Sequence, residues 1–385
     1  MKKIMTLVAA VCCAMSMMAG EEEARLDSVY FYENAPDNLT GRQVHSYDGK
    51  GNLVLITMDE WSGGAWVAYT KQEATYDENG NRLSVTDSEY DGTKWTYKEK
   101  YEFKYNDAFK QTEYTHYLWG TTDWTPFARY LYTYTTNNQM ATETFQQYVS
   151  GAWKDLKRTS YTYYTNGMLN SEVVENYKDG AFVNYRMTYY EYNSALQQTL
   201  AEVSLWDADW VPDYKYMRTY TDGLLTLVHR QDYNKTKSVY VDNTKVSISY
   251  TDDGLVKEEL TTSYLSSTWR NTTRIQNTYD AQGNKTKKEQ QYWDADNGVW
   301  YDYSEDTWLY ELDGAKVTET YRYYTTGDKK WHFSYANVNY YTLPGTGIEA
   351  VSSQPSTISR KFFRDGQVMI EQNGVIYDLR GAIVK

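Results

Sequence analysis

Polar and aromatic residues alternate along this chain in segments of about ten residues, and turn-forming residues separate the segments. The clearest example runs from residue 82 to residue 105, where two alternating segments flank Asp91 and Gly92. Alternation with a period of two predicts a β-strand with one packed face, and Asp-Gly between two strands predicts a hairpin turn. No segment carries the 3.6-residue period of a helix. The pattern therefore predicts a chain built from β-hairpins.

Three aromatic columns show that the hairpins repeat about every 29 residues. The first column opens a turn and consists of Tyr47, Tyr76, Tyr105, Tyr134, Tyr163, Tyr192, Tyr220, Tyr250, Tyr279, Tyr310 and Tyr340. The second consists of Trp61, Tyr90, Trp119, Tyr148, Tyr177, Trp206, Tyr233, Tyr264, Trp293 and Tyr324. The third consists of Trp66, Trp95, Trp124, Trp153, Phe182, Trp210, Trp269, Trp300 and Trp331. The repeat that begins at Tyr220 lacks a third-column residue, with Val239 and Tyr240 near that place. Columns held in phase indicate about ten copies of one supersecondary unit.

A sheet with one aromatic face has to cover that face. In the second repeat Tyr97, Tyr101, Phe103 and Tyr105 are predicted to share one face, with Lys98, Lys100, Glu102 and Lys104 on the other. The sheet could coil as a spiral or solenoid, or it could stay a single layer of about twenty strands, about 100 Å wide. We expect coiling. The predicted fold is all-β: about ten tandem hairpin repeats forming a long antiparallel, coiled or solenoid-like sheet, with a small β module at the C-terminus.

The turn that follows the first column reads Tyr-Asp-x-x-Gly-Asn at residues 47–52, 76–81 and 279–284. Asp at the start of a turn accepts backbone hydrogen bonds, and Gly tolerates positive φ. This motif resembles the tyrosine-aspartate (YD) repeats of Rhs and teneurin-like proteins. The resemblance implies a sheet wound from such repeats as a spiral shell.

The two ends differ from the repeats. Residues 1–20 combine Lys2 and Lys3 with an apolar run and a small-residue end at Gly20, which predicts a cleaved signal peptide. Residues 21–46 are predicted to be a cap or half repeat in which residues 29–32 lead toward the Tyr47 turn, residues 47–341 the tandem repeats, and residues 342–360 a linker. Cys12 and Cys13 both lie in the signal peptide, so the mature chain is expected to have no disulfide. A lipid anchor at these cysteines is the minor alternative.

Residues 361–385 contain short apolar segments between Asp365-Gly366, Asn373-Gly374 and Arg380-Gly381. With residues 347–349 ahead of it, this tail resembles the C-terminal sorting domains of secreted Bacteroidetes proteins. The resemblance implies type IX secretion, with the secretion machinery as a partner. The alternative is an edge hairpin that closes the repeat sheet.

Composition explains how such a chain makes a core. It has 42 Tyr, 13 Trp and 9 Phe among 385 residues, whereas the hydrophobic share is 41 %. Without residues 1–20 the chain has 37 basic and 52 acidic residues, a net charge of −15. A charge of this sign argues against nucleic acid as a partner. After signal cleavage no stretch is expected to span a membrane.

The sequence contains few signs of catalytic chemistry. The four histidines, His45, His116, His229 and His332, lie at different repeat offsets and lack metal-ligand spacing. The loop 294–298 superficially resembles a calcium loop but lacks its final Glu, so a hairpin turn is the better interpretation. We expect no catalytic residue, no metal and no cofactor. An exported hydrolase would need acids clustered in residues 220–249, where Asp222, His229, Asp232 and Asp242 occur.

The third column has two interpretations: packing against neighbouring side chains, or a row of aromatic platforms for sugars or a partner protein. Trp66, Trp95, Trp124 and Trp153 are the candidate ligand-binding residues. The leading hypothesis is a secreted or surface-exposed, adhesin-like protein that binds a glycan or a host or cell-surface protein. The alternative is a purely structural surface or matrix component.

Overall fold

The computed structural model describes residues 24–343 and the backbone of three strands near the C-terminus. The predicted signal peptide, nearly all of the predicted linker and the turns 365–366, 373–374 and 380–381 lie outside the described residues. The chain divides into two units, of which one is Arg25–Tyr341 and the other contains the C-terminal strands. Each unit is described by itself.

The larger unit is all-β and has 22 strands. In chain order they are β1 (Arg25–Glu33), β2 (Leu39–Tyr47), β3 (Leu53–Ser62), β4 (Ala65–Tyr76), β5 (Arg82–Tyr90), β6 (Trp95–Tyr105), β7 (Gln111–Trp119), β8 (Trp124–Tyr134), β9 (Met140–Val149), β10 (Ala152–Tyr163), β11 (Leu169–Lys178), β12 (Ala181–Tyr192), β13 (Gln198–Trp206), β14 (Trp210–Thr221), β15 (Leu224–Asn234), β16 (Val239–Tyr250), β17 (Val256–Leu265), β18 (Thr268–Tyr279), β19 (Lys285–Asp294), β20 (Val299–Glu311), β21 (Lys316–Thr325) and β22 (Lys330–Thr342). A single 3-10 turn, Leu312–Gly314, interrupts the series between β20 and β21.

Each strand pairs antiparallel with the next strand in the chain, so the predicted tandem hairpins are confirmed. Because neighbouring strands alternate in direction, all turns of one kind lie along the same end of the sheet. We call the end that carries the second and third aromatic columns the aromatic rim. The end that carries the turns after the first-column tyrosines is the tyrosine rim.

The sheet is closed, and the prediction of a coiled or solenoid-like sheet was wrong. The first strand, β1, pairs with the last, β22, in addition to β2, which gives a 22-stranded antiparallel barrel. The Asn34 amide donates to the Ser334 carbonyl at 2.8 Å beside this closing pair. Tyr30 packs edge-on against Tyr340 with ring centroids 5.7 Å apart. Closure removes the two free edges that a coiled sheet would have left.

A β-bulge in every return strand explains why the sheet curves. The extra residue lies three positions after the third-column position each time, at Tyr69, Lys98, Phe127, Leu156, Tyr185, Asp213, Asn243, Thr272, Tyr303 and Ser334. A bulge bends its strand and increases the local twist, and repeated bulges are a means of closing a sheet.

The same bulge corrects the predicted faces of the second repeat. Tyr97 is paired with Ser88 and Glu99 with Asp87, so Lys98 is the unpaired residue and the alternation of faces changes there. Tyr97 consequently shares a face with Lys100, whereas Tyr101 and Phe103 lie on the opposite face. Simple alternation fails here because it assumes a strand without bulges.

Most outgoing strands have a second bulge near their start, and the first-column tyrosines form hydrogen bonds beside it. In the pairing of β4 with β5, Tyr76 is opposite Arg82 and Thr75 opposite Ser84, which leaves Leu83 as the extra residue. The hydroxyl of Tyr105 donates to the Arg82 carbonyl at 2.9 Å, next to that bulge. The same bond, at 2.5 to 3.1 Å, joins each of these tyrosines to the carbonyl just before a bulge: Tyr76, Tyr134, Tyr163, Tyr220, Tyr250, Tyr279 and Tyr310.

The Tyr-Asp-x-x-Gly-Asn turns form as the sequence predicts. The Oδ1 atom of Asp77 accepts from the amides of Asn79 and Asn81, and its Oδ2 accepts from the Asn81 side chain. Gly80 has a φ of 81°, which a side chain would strain. The turns at Asp48 and Asp280 have the same bonds.

The segments at the two ends of the repeats are also β-strands. Residues 29–32 lie in β1, and β2 is the strand that leads into Tyr47, so this segment supplies a complete antiparallel pair. The smaller unit contains β23 (Ser359–Arg364), β24 (Gln367–Gln372) and β25 (Val375–Tyr377). These three strands form an antiparallel sheet in the order β23, β24, β25.

Candidate functional site: the aromatic rim

The second and third aromatic columns meet as pairs at the aromatic rim, because each pair flanks a hairpin turn and its two residues are directly opposite across the strands. Ring centroids are 4.8 to 5.5 Å apart, mostly edge to face. The pairs are Trp61–Trp66, Tyr90–Trp95, Trp119–Trp124, Tyr148–Trp153, Tyr177–Phe182, Trp206–Trp210, Tyr233–Tyr240, Tyr264–Trp269, Trp293–Trp300 and Tyr324–Trp331. Such a pair contributes about 0.5–1.5 kcal/mol beyond the area that it buries.

The repeat that begins at Tyr220 is complete in this respect. Tyr240 is paired with Tyr233 across β15 and β16, with ring centroids 5.2 Å apart. The sequence placed Tyr240 only near the third column because it is a tyrosine where the column otherwise carries Trp or Phe; its separation from Tyr233, seven residues, equals that of Trp300 from Trp293. The aromatic rim therefore continues through this repeat without a gap.

A column of cations, which the sequence reasoning missed, covers eight of the ten third-column rings. Each cation lies on the return strand of the preceding repeat, on the same face as the ring, 4.1 to 5.3 Å from its centroid. The pairs are Arg42–Trp66, Lys71–Trp95, Lys100–Trp124, Arg129–Trp153, Arg158–Phe182, Lys215–Tyr240, Lys245–Trp269 and Arg274–Trp300. A basic residue recurring every 29 residues from Arg42 to Arg158 was the available sequence signal. Each contact contributes about 0.5–1 kcal/mol where it is exposed.

Acceptors on the next outgoing strand hold several of these cations in place. Arg42 bonds Asp59 at 2.8 Å, and Arg158 bonds both carboxylate oxygens of Glu175 at 2.7 and 2.9 Å. The hydrogen bond from Glu175 raises the pKa of Arg158 above its usual value. Arg274 makes the equivalent contact with the Gln291 amide oxygen at 2.9 Å. The cations are thus fixed over the rings, and one ring face is occupied.

The four candidate residues chosen from the sequence all lie on this rim. Trp95 is 37 % exposed, and Trp66, Trp124 and Trp153 are half-buried. A cation covers each of the four, and Tyr97 also contacts Trp124. Their role in binding stays a prediction.

Three rings of the second column are about as exposed as Trp95. Trp61 is 38 % exposed, Tyr177 39 % and Trp206 36 %. The sequence reasoning did not choose them, because it ranked the columns by evenness of spacing and not by what would cover each ring. They are added here to the candidate residues.

The opposite face of the sheet carries packed tyrosines. Tyr101 stacks on His116 and on Tyr114, and Tyr114 contacts Tyr130. Burial raises the pKa of Tyr114 to about 12, and it raises the pKa of Tyr161 to about 12 as well. These phenols remain neutral in ordinary buffers, and their rings act as packing.

The structure pairs three of the four histidines with carboxylates. His116 lies 3.1 Å from Glu99, His229 2.8 Å from Asp242 and His332 2.9 Å from Asp328. Within residues 24–343 no three His, Cys, Asp or Glu side chains come together as metal ligands.

In the repeat of residues 220–249, Asp232 bonds Arg230 and Asp222 lies in a hairpin turn. The loop after Asp294 is a hairpin loop, as the sequence indicates, with Asp294 Oδ1 accepting from two loop amides.

Comparison with known proteins gives no family. No protein-family model matches the chain, and no curated protein matches it. Among solved structures, a DUF3836 family protein from Bacteroides vulgatus is 20 % identical with a TM-score of 0.21, over 24 % of this chain and 91 % of that one. A porin-like protein from Bacteroides uniformis is 10 % identical with a TM-score of 0.26, over 83 % of this chain and 96 % of that one. At these scores the similarities support no functional inference. In the described part of the chain, no helix has the length and apolar character needed to cross a membrane.

Proposed function

We propose that this is an exported, non-enzymatic interaction protein, secreted or held at the cell surface, which binds a glycan or a surface protein through its aromatic rim. The observation that carries the proposal is the repetition of half-open rings at one end of the sheet. Trp61, Trp95 and Trp206 are each more than a third exposed, although each packs against a partner ring. Exposed indoles beside fixed polar groups are typical of binding surfaces.

Repetition is part of the proposed mechanism. A ligand with several equivalent units can contact several pairs at once, and each further contact is intramolecular after the first. The pairs recur about every 29 residues in the sequence, which places one pair at each hairpin along the rim. A repeating glycan would therefore contact a similar pair of aromatic rings at each hairpin. Weak individual contacts then add up to a useful affinity.

The experiment is a binding screen of the mature chain, beginning at residue 21, against arrays of glycans and cell-surface proteins. Replacing Trp61 and Trp206 together by Ala, or Trp95 and Trp124 together, is expected to weaken binding by at least about tenfold. Tyr148→Phe keeps the ring and serves as the control. Retained affinity in both double variants, with the fold intact by circular dichroism, would contradict the proposal.

A purely structural surface protein is the second candidate. The cations over the third column and the edge-on partner rings favour it, because they give the aromatic residues a packing role without any ligand. This candidate predicts no binding on either array.

Export is proposed from residues 1–20 and from the sorting-like tail. Deleting residues 361–385 is expected to retain the protein inside the producing cell if the tail directs secretion. Unchanged export of the shortened chain would exclude that role.

A further inference from the structure

A row of exposed apolar side chains lies on the face of the sheet opposite the aromatic pairs. The bulge of β8 directs Phe127 to that face, because its ring contacts His116 edge-on with centroids 5.3 Å apart. Leu156 and Tyr185 hold the same bulge position in β10 and β12. The exposed fractions of Phe127, Leu156 and Tyr185 are 41 %, 40 % and 52 %. The bulges thus leave a large apolar group open to solvent on every second strand.

Two valines widen this row toward the aromatic rim. Val149 follows Tyr148 and Val183 follows Phe182, and successive residues of a strand point to opposite faces. Both valines therefore lie on the face of the row, and they are 38 % and 43 % exposed. The patch extends across β8–β12, about 19 Å, and about 10 Å along each strand. Exposed apolar patches of this kind mark interaction or ligand sites.

Basic side chains lie on the same face, within and beside the apolar row. They are Lys154, Lys178, Lys157 and Arg186. The first two directly follow a ring of the aromatic rim, and the other two follow a bulge residue, where the alternation of faces changes. Among the described residues only Arg186 of these four forms an ion pair, with Glu172 at 3.6 Å. The three lysines are exposed. We call the five apolar and four basic residues the basic apolar patch.

This part of the face contains no carboxylate among the described strand residues. Along β8–β12 the first carboxylates of the face are Glu143 and Glu172, both nearer the tyrosine rim than the patch. Asp155 and Glu175 point to the other face, near Arg158. The chain from residue 21 has 37 basic and 52 acidic residues, so a basic patch without acids departs from its overall charge. An anionic group would therefore find favourable charge here.

The patch offers a ligand side chains and no free backbone. Each of the strands β8–β12 is paired with a strand on both sides, so a peptide cannot bind by adding a strand. Aliphatic and aromatic side chains gain from covering an alkyl chain, in proportion to the apolar area removed from water. Lysine stems extend such a surface, and their charged ends reach an anion at its border.

We infer that the basic apolar patch binds a single-chain anionic lipid, a long-chain fatty acid. Its alkyl chain lies across Phe127, Leu156 and Tyr185, and its carboxylate meets Lys154 and Lys178. The elongated outline of the patch suits one chain, and the missing carboxylates remove the repulsion that an anion would meet elsewhere on this acidic protein. The patch is on the face opposite the aromatic pairs, so the inference is independent of the proposed function.

The test titrates the chain from residue 21 with dodecanoate below its micelle concentration, by isothermal titration calorimetry. Dodecanoate is expected to bind with a Kd of about 0.1 mM or lower. Hexanoate, with a shorter alkyl chain, and dodecyltrimethylammonium, with the opposite charge, are expected to bind at least about tenfold more weakly. Equal affinity for dodecanoate and dodecyltrimethylammonium would overturn the inference, because the basic residues would then contribute nothing.

Leu156→Asp places a carboxylate in the centre of the patch at an exposed position, so the variant is expected to fold and to bind dodecanoate at least about tenfold more weakly. Leu309→Asp, at a leucine of β20 that is 58 % exposed and outside the patch, is the matched control and should bind like the unmodified chain. Replacing Lys154 and Lys178 together by Gln should weaken dodecanoate about fivefold or more and leave neutral monolauroylglycerol unchanged.

Saturable binding that Leu156→Asp weakens and Trp61→Ala leaves unchanged supports this site, whatever the outcome for the aromatic rim. The inference is overturned if dodecanoate shows no saturable binding up to about 1 mM. It is also overturned if Leu156→Asp, with an undiminished melting temperature, binds dodecanoate as well as the unmodified chain.

Discussion

The first tyrosine of each repeat is a hydrogen-bond donor at a point where the ladder is interrupted. A bulge leaves the adjoining carbonyl outside the regular pairing, and the hydroxyl of a tyrosine from the following repeat donates to it. Each bond links two neighbouring strands, β6 and β5 in the case of Tyr105, beside the bulge that β5 makes against β4. Much of the tyrosine content is explained by this contact and by the stacked rings of the opposite face.

Tyr105→Phe removes one such donor and is expected to lower the free energy of unfolding by about 1 kcal/mol. The ring stays, so packing is preserved and the change reports the bond to the Arg82 carbonyl alone. Urea unfolding followed by circular dichroism measures it. Tyr97→Phe, at a ring that is 46 % exposed, is the control. Equal stability of the two variants would show that the bond contributes nothing.

Leu196 occupies a turn position that favours glycine. Its φ is 61°, its side chain is 51 % exposed, and Gly80 has a φ of 81° at the equivalent place. Leu196→Gly is expected to stabilise the chain by about 0.5–1 kcal/mol, because a non-glycine residue is strained there and little burial is lost. Gly80→Leu should have the opposite sign. A destabilised Leu196→Gly variant in thermal unfolding would contradict the strain argument.

The positions of the hairpin turns could be predicted from the sequence. The positions of the bulges could not. Asp91-Gly92 lies between two alternating strands, and local residue preference suffices to predict a turn. The bulge at Lys98 has no such local preference, because Tyr69, Phe127 and Leu156 occupy the same place in other repeats. The cation column could have been detected in the sequence, from Arg42 to Arg158. Its role could not, because it depends on a contact with an aromatic ring of the following repeat.

Acid should weaken the turn that follows Tyr90. Hydrogen bonds from the Thr93 hydroxyl and from the amides of Lys94 and Thr93 lower the pKa of Asp91 to about 2. A carboxylate whose pKa is lower in the folded chain stabilises it above the unfolded value, about 3.9, and loses this contribution as the pH falls through the folded value.

Asp91→Asn keeps an acceptor without titrating, so its melting temperature should fall less between pH 5 and pH 2 than that of the unmodified chain. Differential scanning calorimetry across that range makes the comparison. Parallel pH profiles for the two proteins would rule out the contribution of Asp91.

At the scale of the whole repeat region, the pairing of β1 with β22 closes the sheet, so each rim follows one end of a closed barrel. Periodicity and strand lengths predict the hairpins, but they do not determine whether β1 meets β22, because that pairing depends on curvature summed over all the bulges. The closing contacts are those of Tyr30 with Tyr340 and of Asn34 with Ser334, and each joins residues about 300 positions apart in the chain. In the closed sheet the ten aromatic pairs lie along one end, at every hairpin there except the one that joins β1 and β2.

The distance between β1 and β22 tests this account most directly. Residues 21–385 contain no cysteine, so in a chain that begins at residue 21 Asp37→Cys and Lys330→Cys, both at exposed positions on the aromatic rim, give a pair of sites for spin labels. Electron paramagnetic resonance should report a separation below about 25 Å, because Asp37 lies in the hairpin turn after β1 and Lys330 begins β22, which pairs with β1 in the closed sheet. A second pair, Asp37→Cys with Asp209→Cys, should give a clearly longer distance. A separation of many tens of ångströms for the first pair, as expected for an open sheet about 100 Å wide, would contradict closure.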